Sequence, residues 1–342
     1  MARDINKQSD NNVSRVQYMD VFRGIGIILM IMGHIWFGTY FDIFKAAFNM
    51  PMFFFISGFF FQHKAKEDIS TLSFILKKAR TLLIPYVFFG IGHFLIYYFV
   101  FGNHDWRPLI KLFSWNNNGL AITGVFWFLS ALFIANILFF LIDRFITNVI
   151  VKSVLIFIVA VFGNHFEFLH PPFSLSAAFV GVGLMYIGNL IKKYEMTKPI
   201  NYFLNLKLIP FFLISMITVA LIFINHNVNM RLGIYSNTVL FWINAVSATI
   251  LGINFSKKIE TVFEDTFFII ALKEIGEYSL VYVLVNELVI LLLSRNSNDV
   301  LLNKITILMI TLIVLFIISR IIVKSNLRFL VGKPVSLKKM LK

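Results

Sequence analysis

The sequence predicts an all-α, polytopic membrane protein of about ten transmembrane helices with both termini cytoplasmic. Three observations carry this expectation. The 342 residues are 58% hydrophobic and include 41 phenylalanines, at a mean hydropathy of +0.81, which is more apolar side chain than a soluble domain can hide. The apolar residues gather into segments near the length of roughly 20 residues that a bilayer crossing needs. The lysines and arginines fall mainly on one side of the topology those segments define.

Residues 1–17 are polar and mixed in charge, with no apolar core leading to a small-residue cleavage site. They read as a cytoplasmic tail rather than a secretory signal. Apolar segments follow at 18–40, 43–62, 81–101, 122–142, 149–163, 173–191, 208–225, 237–255, 276–294 and 304–323. These make one membrane domain over 18–323, and 324–342 make a basic cytoplasmic tail. The fifth segment is short for a crossing. Residues 259–275 mix Phe and Ile with Glu260, Glu264, Asp265, Lys273 and Glu274, the pattern of an interfacial helix leading into the ninth segment.

With the N-terminus inside, the inner segments hold 23 of the 31 lysines and arginines. The outer loops hold 6, namely Lys45, Arg107, Lys111, Arg231, Arg295 and Lys304, and Arg23 and Arg320 lie within segments. This is a strong positive-inside bias. Topology therefore accounts for the net charge of +14, and no nucleic-acid partner is expected. The absence of cysteine excludes disulfides, thiolate nucleophiles and thiolate metal sites, and no metal is expected. The outer loops 102–121 and 225–236 are rich in Asn, with Trp106 and Trp115 in the first. That composition suits a sugar-facing surface and a membrane-interface loop equally well.

Ionisable groups inside apolar segments are costly and by default mark function. The first segment carries Asp20, Arg23 and His34. On an α-helix an offset of eleven closes to about 20° beyond three turns, so Arg23 and His34 share a face about 16 Å apart along the axis. His34 is a candidate general base, although a histidine that only bonds a neighbouring helix fits the same position. Arg23 reads equally as a functional cation and as an arginine snorkelling to headgroups beside Asp20. Gly24, Gly26 and Gly33 permit close approach of another helix or leave room for a ligand. Pro51 and the Ser57-Gly58 pair in the second segment are better explained by bending and packing than by catalysis. Lys77 and Arg80, three apart at the mouth of the third segment, are placed either to hold phosphates or to anchor the topology.

Taken together, Arg23-(x10)-His34, the run Phe53-Phe54-Phe55-Ile56-Ser57-Gly58, Lys77-x-x-Arg80 before Leu83-Ile84-Pro85-Tyr86, and Trp127-Phe128-Leu129 resemble the acyltransferase-3 family. These are integral membrane acyltransferases that modify bacterial cell-surface glycans, and the resemblance covers essentially the whole chain. It implies a donor, usually acetyl-CoA, engaged from the cytoplasm, and passage of the acyl group to a carbohydrate hydroxyl. It implies that Arg23 and His34 are the catalytic pair and that Arg23, Lys77 and Arg80 bind the donor. Two positions depart from the family pattern. Asn49 stands where a histidine often follows the phenylalanine before Met50-Pro51. Asn286, followed by Glu287, stands where a histidine often follows the run Gly276-Glu277-Tyr278-Ser279-Leu280-Val281-Tyr282. Asparagine does not titrate, which concentrates proton transfer on His34.

The expected function is O-acylation, with acetyl as the expected group, of a bacterial surface or exported polysaccharide at the plasma membrane. The partners are acyl-CoA, the polysaccharide acceptor and the lipid bilayer. A transporter or flippase for a lipid-linked glycan is the alternative, since one arginine and one histidine among ten helices would also suit proton coupling. No paired halves are visible, which counts against it. A non-catalytic membrane subunit of a polysaccharide-assembly complex is a third, weaker reading.

Overall fold

In the computed structural model, which describes residues 16–61, 70–114, 124–169, 171–294 and 300–332, each of the ten apolar segments contains helix. Most of the expected N-terminal tail, Lys64, Lys66, Trp115 and residues 333–342 of the basic tail lie outside the described residues. The helices are α1 (Gln17–Ile35), α2 (Thr39–Ala46), α3 (Asn49–Phe59), α4 (Thr71–Phe99), α5 (Arg107–Leu112), α6 (Phe126–Phe145) and α7 (Val149–His165). They continue with α8 (Leu175–Lys193), α9 (Lys198–Leu204), α10 (Leu208–Ile224), α11 (Thr238–Val262), α12 (Phe267–Glu277), α13 (Ser279–Ser294) and α14 (Leu301–Lys324). Polar side chains set several starts: Ser70, Asn148, Asn237 and Thr266 each accept a backbone N–H from the first turn of α4, α7, α11 and α12, which satisfies donors the helix itself leaves open.

Among the described residues seven helices are long and apolar enough to span a bilayer, and nine spans result if α9–α10 and α12–α13, bent by 78° and 90°, each count as one. The protein is an all-α, multi-pass membrane protein. The second apolar segment differs from the expectation of one crossing, because it is divided between the 8-residue α2 and the 11-residue α3. The third begins ten residues earlier than its hydropathy indicated, since α4 continues from Thr71 through a π-helical turn at Ala79–Leu83. The fifth is not short, because α7 and the 3-10 turn after it run 21 residues to Leu169.

Helix α8 forms the centre, with α3, α6 and α7 packed on it. Gly58 on α3 lies against the Met185 backbone carbonyl of α8, and Gly188 on α8 lies against the Phe55 carbonyl of α3. Such reciprocal small-residue contacts let two backbones approach where lipid supplies no hydrophobic drive between helices. The same device clamps α1 to α12, with Gly24 against the Leu272 carbonyl and Gly276 against the Asp20 carbonyl.

Several contacts join ends that the sequence assigns to one side. Lys257 lies 4.8 Å from the Tyr18 ring, Lys273 donates to Gln17 at 2.5 Å, and Arg320 donates twice to Glu274 at 2.6 and 2.8 Å. All of these join ends assigned to the cytoplasmic side. At the other end Lys304 lies 4.8 Å over the Trp36 ring, and Tyr40 meets Phe223 edge-on at 6.2 Å.

Candidate active site

Helix α1 stops one residue after His34. Trp36 adopts a left-handed conformation with φ 63°, and its N–H bonds the Gly33 carbonyl at 3.2 Å. His34 thus occupies the last turn, at the end of the bundle assigned to the outer face. Its Nδ1 lies 3.0 Å from Oε1 of Glu287, in the interior of α13; the His34 side chain is 32% exposed and that of Glu287 12%. The second carboxylate oxygen, Oε2, accepts the backbone N–H of Gly124 at 2.7 Å. An ionised carboxylate only accepts hydrogen bonds, so the contact places the imidazole proton on Nδ1 and leaves the lone pair on Nε2. This is how a carboxylate orients a histidine that serves as a general base.

His34 opens onto a cavity of about 400 Å³ between α1, α2, α3, the start of α6 and the turn joining α10 to α11. Phe53, Trp127 and Phe128 give it an apolar wall, and Asp42, Asn227 and Asn229 bring polar groups to its rim. Its floor is set by Asn49, whose Nδ2 donates to the Gly26 carbonyl at 2.8 Å. Gly26 precedes His34 by eight residues, about 12 Å along α1, so the cavity descends into the middle of the bundle. This explains the short α3. It begins at the cavity floor rather than at the outer surface, and its end is followed by Phe60, the ring that lies 5.0 Å from the Arg23 guanidinium.

Arg23 stands at the opposite end of α1 from His34. Its Nη1 is 3.4 Å from Asp20 Oδ1. The two residues share a helix face as the spacing predicts, but they do not form one site. Lys77 and Arg80 are exposed on the first turns of α4, which pack on α6 through Phe74 and Phe140 and pass into the π-helical turn at Ala79–Leu83. They lie at the same end as Arg23: Phe61, next to the ring beneath Arg23, meets Phe74 of α4 at 6.2 Å. Asn286 turns back onto its own helix, donating to the Tyr282 and Val283 carbonyls at 2.8 Å each.

Two residues of the site do not stand out in the sequence. Glu287 follows Asn286 in the run, although an acidic residue deep in an apolar segment is itself a functional signal. Gly124 carries no local signal, because its place beside Glu287 is a product of the fold.

The acyltransferase-3 family, described as an acyltransferase domain, has a family model that matches residues 16–324. No curated protein and no solved structure gives a significant match. The matched span includes His34, Glu287, Gly124 and every helix from α1 to α14. This chain belongs to the acyltransferase-3 family and is a membrane acyltransferase.

Proposed function

We propose that the protein transfers an acyl group, with acetyl as the expected one, from acyl-CoA to a hydroxyl of a bacterial surface or exported polysaccharide. The observation that carries this reading is the His34–Glu287 contact at 3.0 Å in a cavity open at one end of the bundle. Nε2 of His34 takes the proton of the acceptor hydroxyl as its oxygen attacks the thioester carbonyl carbon. Collapse of the tetrahedral intermediate breaks the C–S bond, and the imidazolium returns its proton to the leaving thiolate. Nucleophilic attack by Nε2 itself, giving an acyl-imidazole that the hydroxyl then resolves, uses the same atoms in two steps.

In this reading acetyl-CoA approaches from the cytoplasm, and the cations Arg23, Lys77 and Arg80 hold its phosphates. Arg23 serves at the donor end rather than beside His34. The inner lining of the cavity at Asn49 and Met30 marks where the thioester has to arrive. Residues 1–17 and 324–342 are cytoplasmic, 18–323 form the catalytic membrane domain, and the protein resides in the bacterial plasma membrane.

The test compares surface glycan from wild-type and His34→Ala cells, for both ester-linked acyl groups and total exported polymer. Loss of ester at unchanged polymer is the expected result. Normal ester content with depleted polymer would favour the flippase instead.

A further inference from the structure

We propose that Arg231 supplies the oxyanion donor of the transfer, its guanidinium N–H groups bonding the acyl carbonyl oxygen as that oxygen gains negative charge. The inference rests on the acyltransferase reading of the cavity and adds the electrophilic partner that His34 and Glu287 do not provide.

An arginine in an outer loop is ordinarily a solvated rim charge, but Arg231 is built in. It belongs to the short turn Met230–Leu232, closed by Asn229 and Ile234, which exchange backbone hydrogen bonds of 2.6 and 3.0 Å. Gly233, at φ +65°, completes the turn with no room for a side chain, since a Cβ there would strike Glu167. Ser236 donates to the Asn227 carbonyl at 2.8 Å, and Met230 and Tyr235 are buried beneath. A half-buried arginine on so determined a backbone is preorganised, which is what transition-state charge stabilisation requires.

The guanidinium lies beside the glycine that holds the partner of the base. A Cβ built on Gly124 would collide with Nη1 of Arg231, and the N–H of that same Gly124 holds Glu287. One glycine therefore admits the cation and fixes the carboxylate that orients His34, and His34, Gly124 and Arg231 all line one cavity. Burial presses the Arg231 guanidinium below its ordinary value while the Glu287 charge opposes that shift; an arginine nevertheless stays protonated. A guanidinium carries five N–H donors in a planar fork, so one partner does not exhaust it. Two other donors of the cavity are engaged elsewhere: Asn49 donates to Gly26, and Lys45 sits 3.3 Å from Asp42.

In the balanced step, the hydroxyl proton passes to Nε2 of His34 and the C–O bond forms. The carbonyl π pair moves to the oxygen facing Arg231, then returns as the C–S bond breaks and the thiolate takes the proton from His34.

The assay uses the full-length chain in lipid vesicles, acetyl-CoA, and polysaccharide extracted from the source cells. Released CoA is read with a thiol reagent, clean here because the chain has no cysteine. Arg231→Gln should lower kcat about 10²–10³-fold with acceptor KM changed less than about twofold. Arg231→Ala should regain activity with millimolar guanidinium, whereas Gly124→Ala, whose methyl occupies the guanidinium's place, should be impaired and not rescued. Unchanged kcat with raised acceptor KM in Arg231→Gln would overturn the proposal in favour of acceptor binding. An Arg231→Gln/Glu287→Gln double variant no slower than Glu287→Gln would overturn it in favour of a role through Glu287 alone. His34→Ala run alongside keeps the two claims separate, since activity there refutes the acyltransferase reading of the cavity whatever Arg231 does.

Discussion

His34 and Glu287 meet at 3.0 Å although one ends the first helix and the other lies inside α13 near the end of the chain. The meeting follows from a clamp two to three turns lower. Gly24 and Gly276 let α1 and α12 touch backbone to backbone, and α13 rises from α12 at 90° immediately after. With its base pinned there, α13 runs beside the rest of α1 and brings Glu287 level with the last turn.

The orienting role of Glu287 predicts that Glu287→Gln is nearly isosteric yet strongly impaired. The amide removes the charge that favours the imidazolium and can itself donate to Nδ1, stabilising the wrong tautomer. A fall in kcat of about 10³-fold is expected, at near-normal substrate KM. Steady-state kinetics in vesicles check it, and a loss below tenfold would leave His34 acting without its partner.

The clamp predicts that Gly276→Ala is destabilising although the change is a single methyl. Its Cβ meets the Asp20 carbonyl carbon and oxygen, which are backbone atoms and cannot rotate aside. A cost of about 1–3 kcal/mol is expected for such overpacking. Gly92→Ala, where nothing lies within 4 Å, is the control and should leave the melting temperature of the purified protein unchanged or raised.

Much of this architecture was legible in the sequence because hydropathy and charge act locally. His34 and Arg23 stand out because charge in an apolar helix is costly wherever that helix packs. The division of the second segment was not legible, since nothing in Phe48 or Asn49 announces a cavity that lets α3 begin halfway down the bundle. Nor was the choice of Glu287 over Asn286. Adjacent helical residues point about 100° apart, and which one faces α1 depends on the bend at Tyr278, a product of tertiary packing.

Asp143 and Lys152 form a second buried pair, 2.6 Å apart with side chains only 3% and 7% exposed, that ties the end of α6 to the start of α7. Lys152→Met removes the lysine that faces this buried carboxylate and should lower stability. Asp143→Asn together with Lys152→Met should recover most of that loss, as measured by thermal unfolding in detergent. Equal destabilisation of the single and double variants would mean that the charges are not coupled.

At the donor end, Lys77→Gln with Arg80→Gln should raise the apparent KM for acetyl-CoA about tenfold or more while kcat changes little. Arg23→Gln should affect both parameters, since it lies further along the path towards His34. Unchanged donor affinity in the double variant, read by direct binding of CoA to purified protein, would reduce the exposed pair to a topological anchor.

The central claim is that His34 and Glu287 act as one catalytic unit, and a double-mutant cycle on acyl-ester formation tests it most directly. Wild type, His34→Ala, Glu287→Gln and the double variant are compared at equal protein in the same vesicles. A unit predicts that His34→Ala abolishes turnover to the background rate and that adding Glu287→Gln costs nothing further. Near-wild-type ester formation by His34→Ala, or losses that multiply in the double variant, would contradict it.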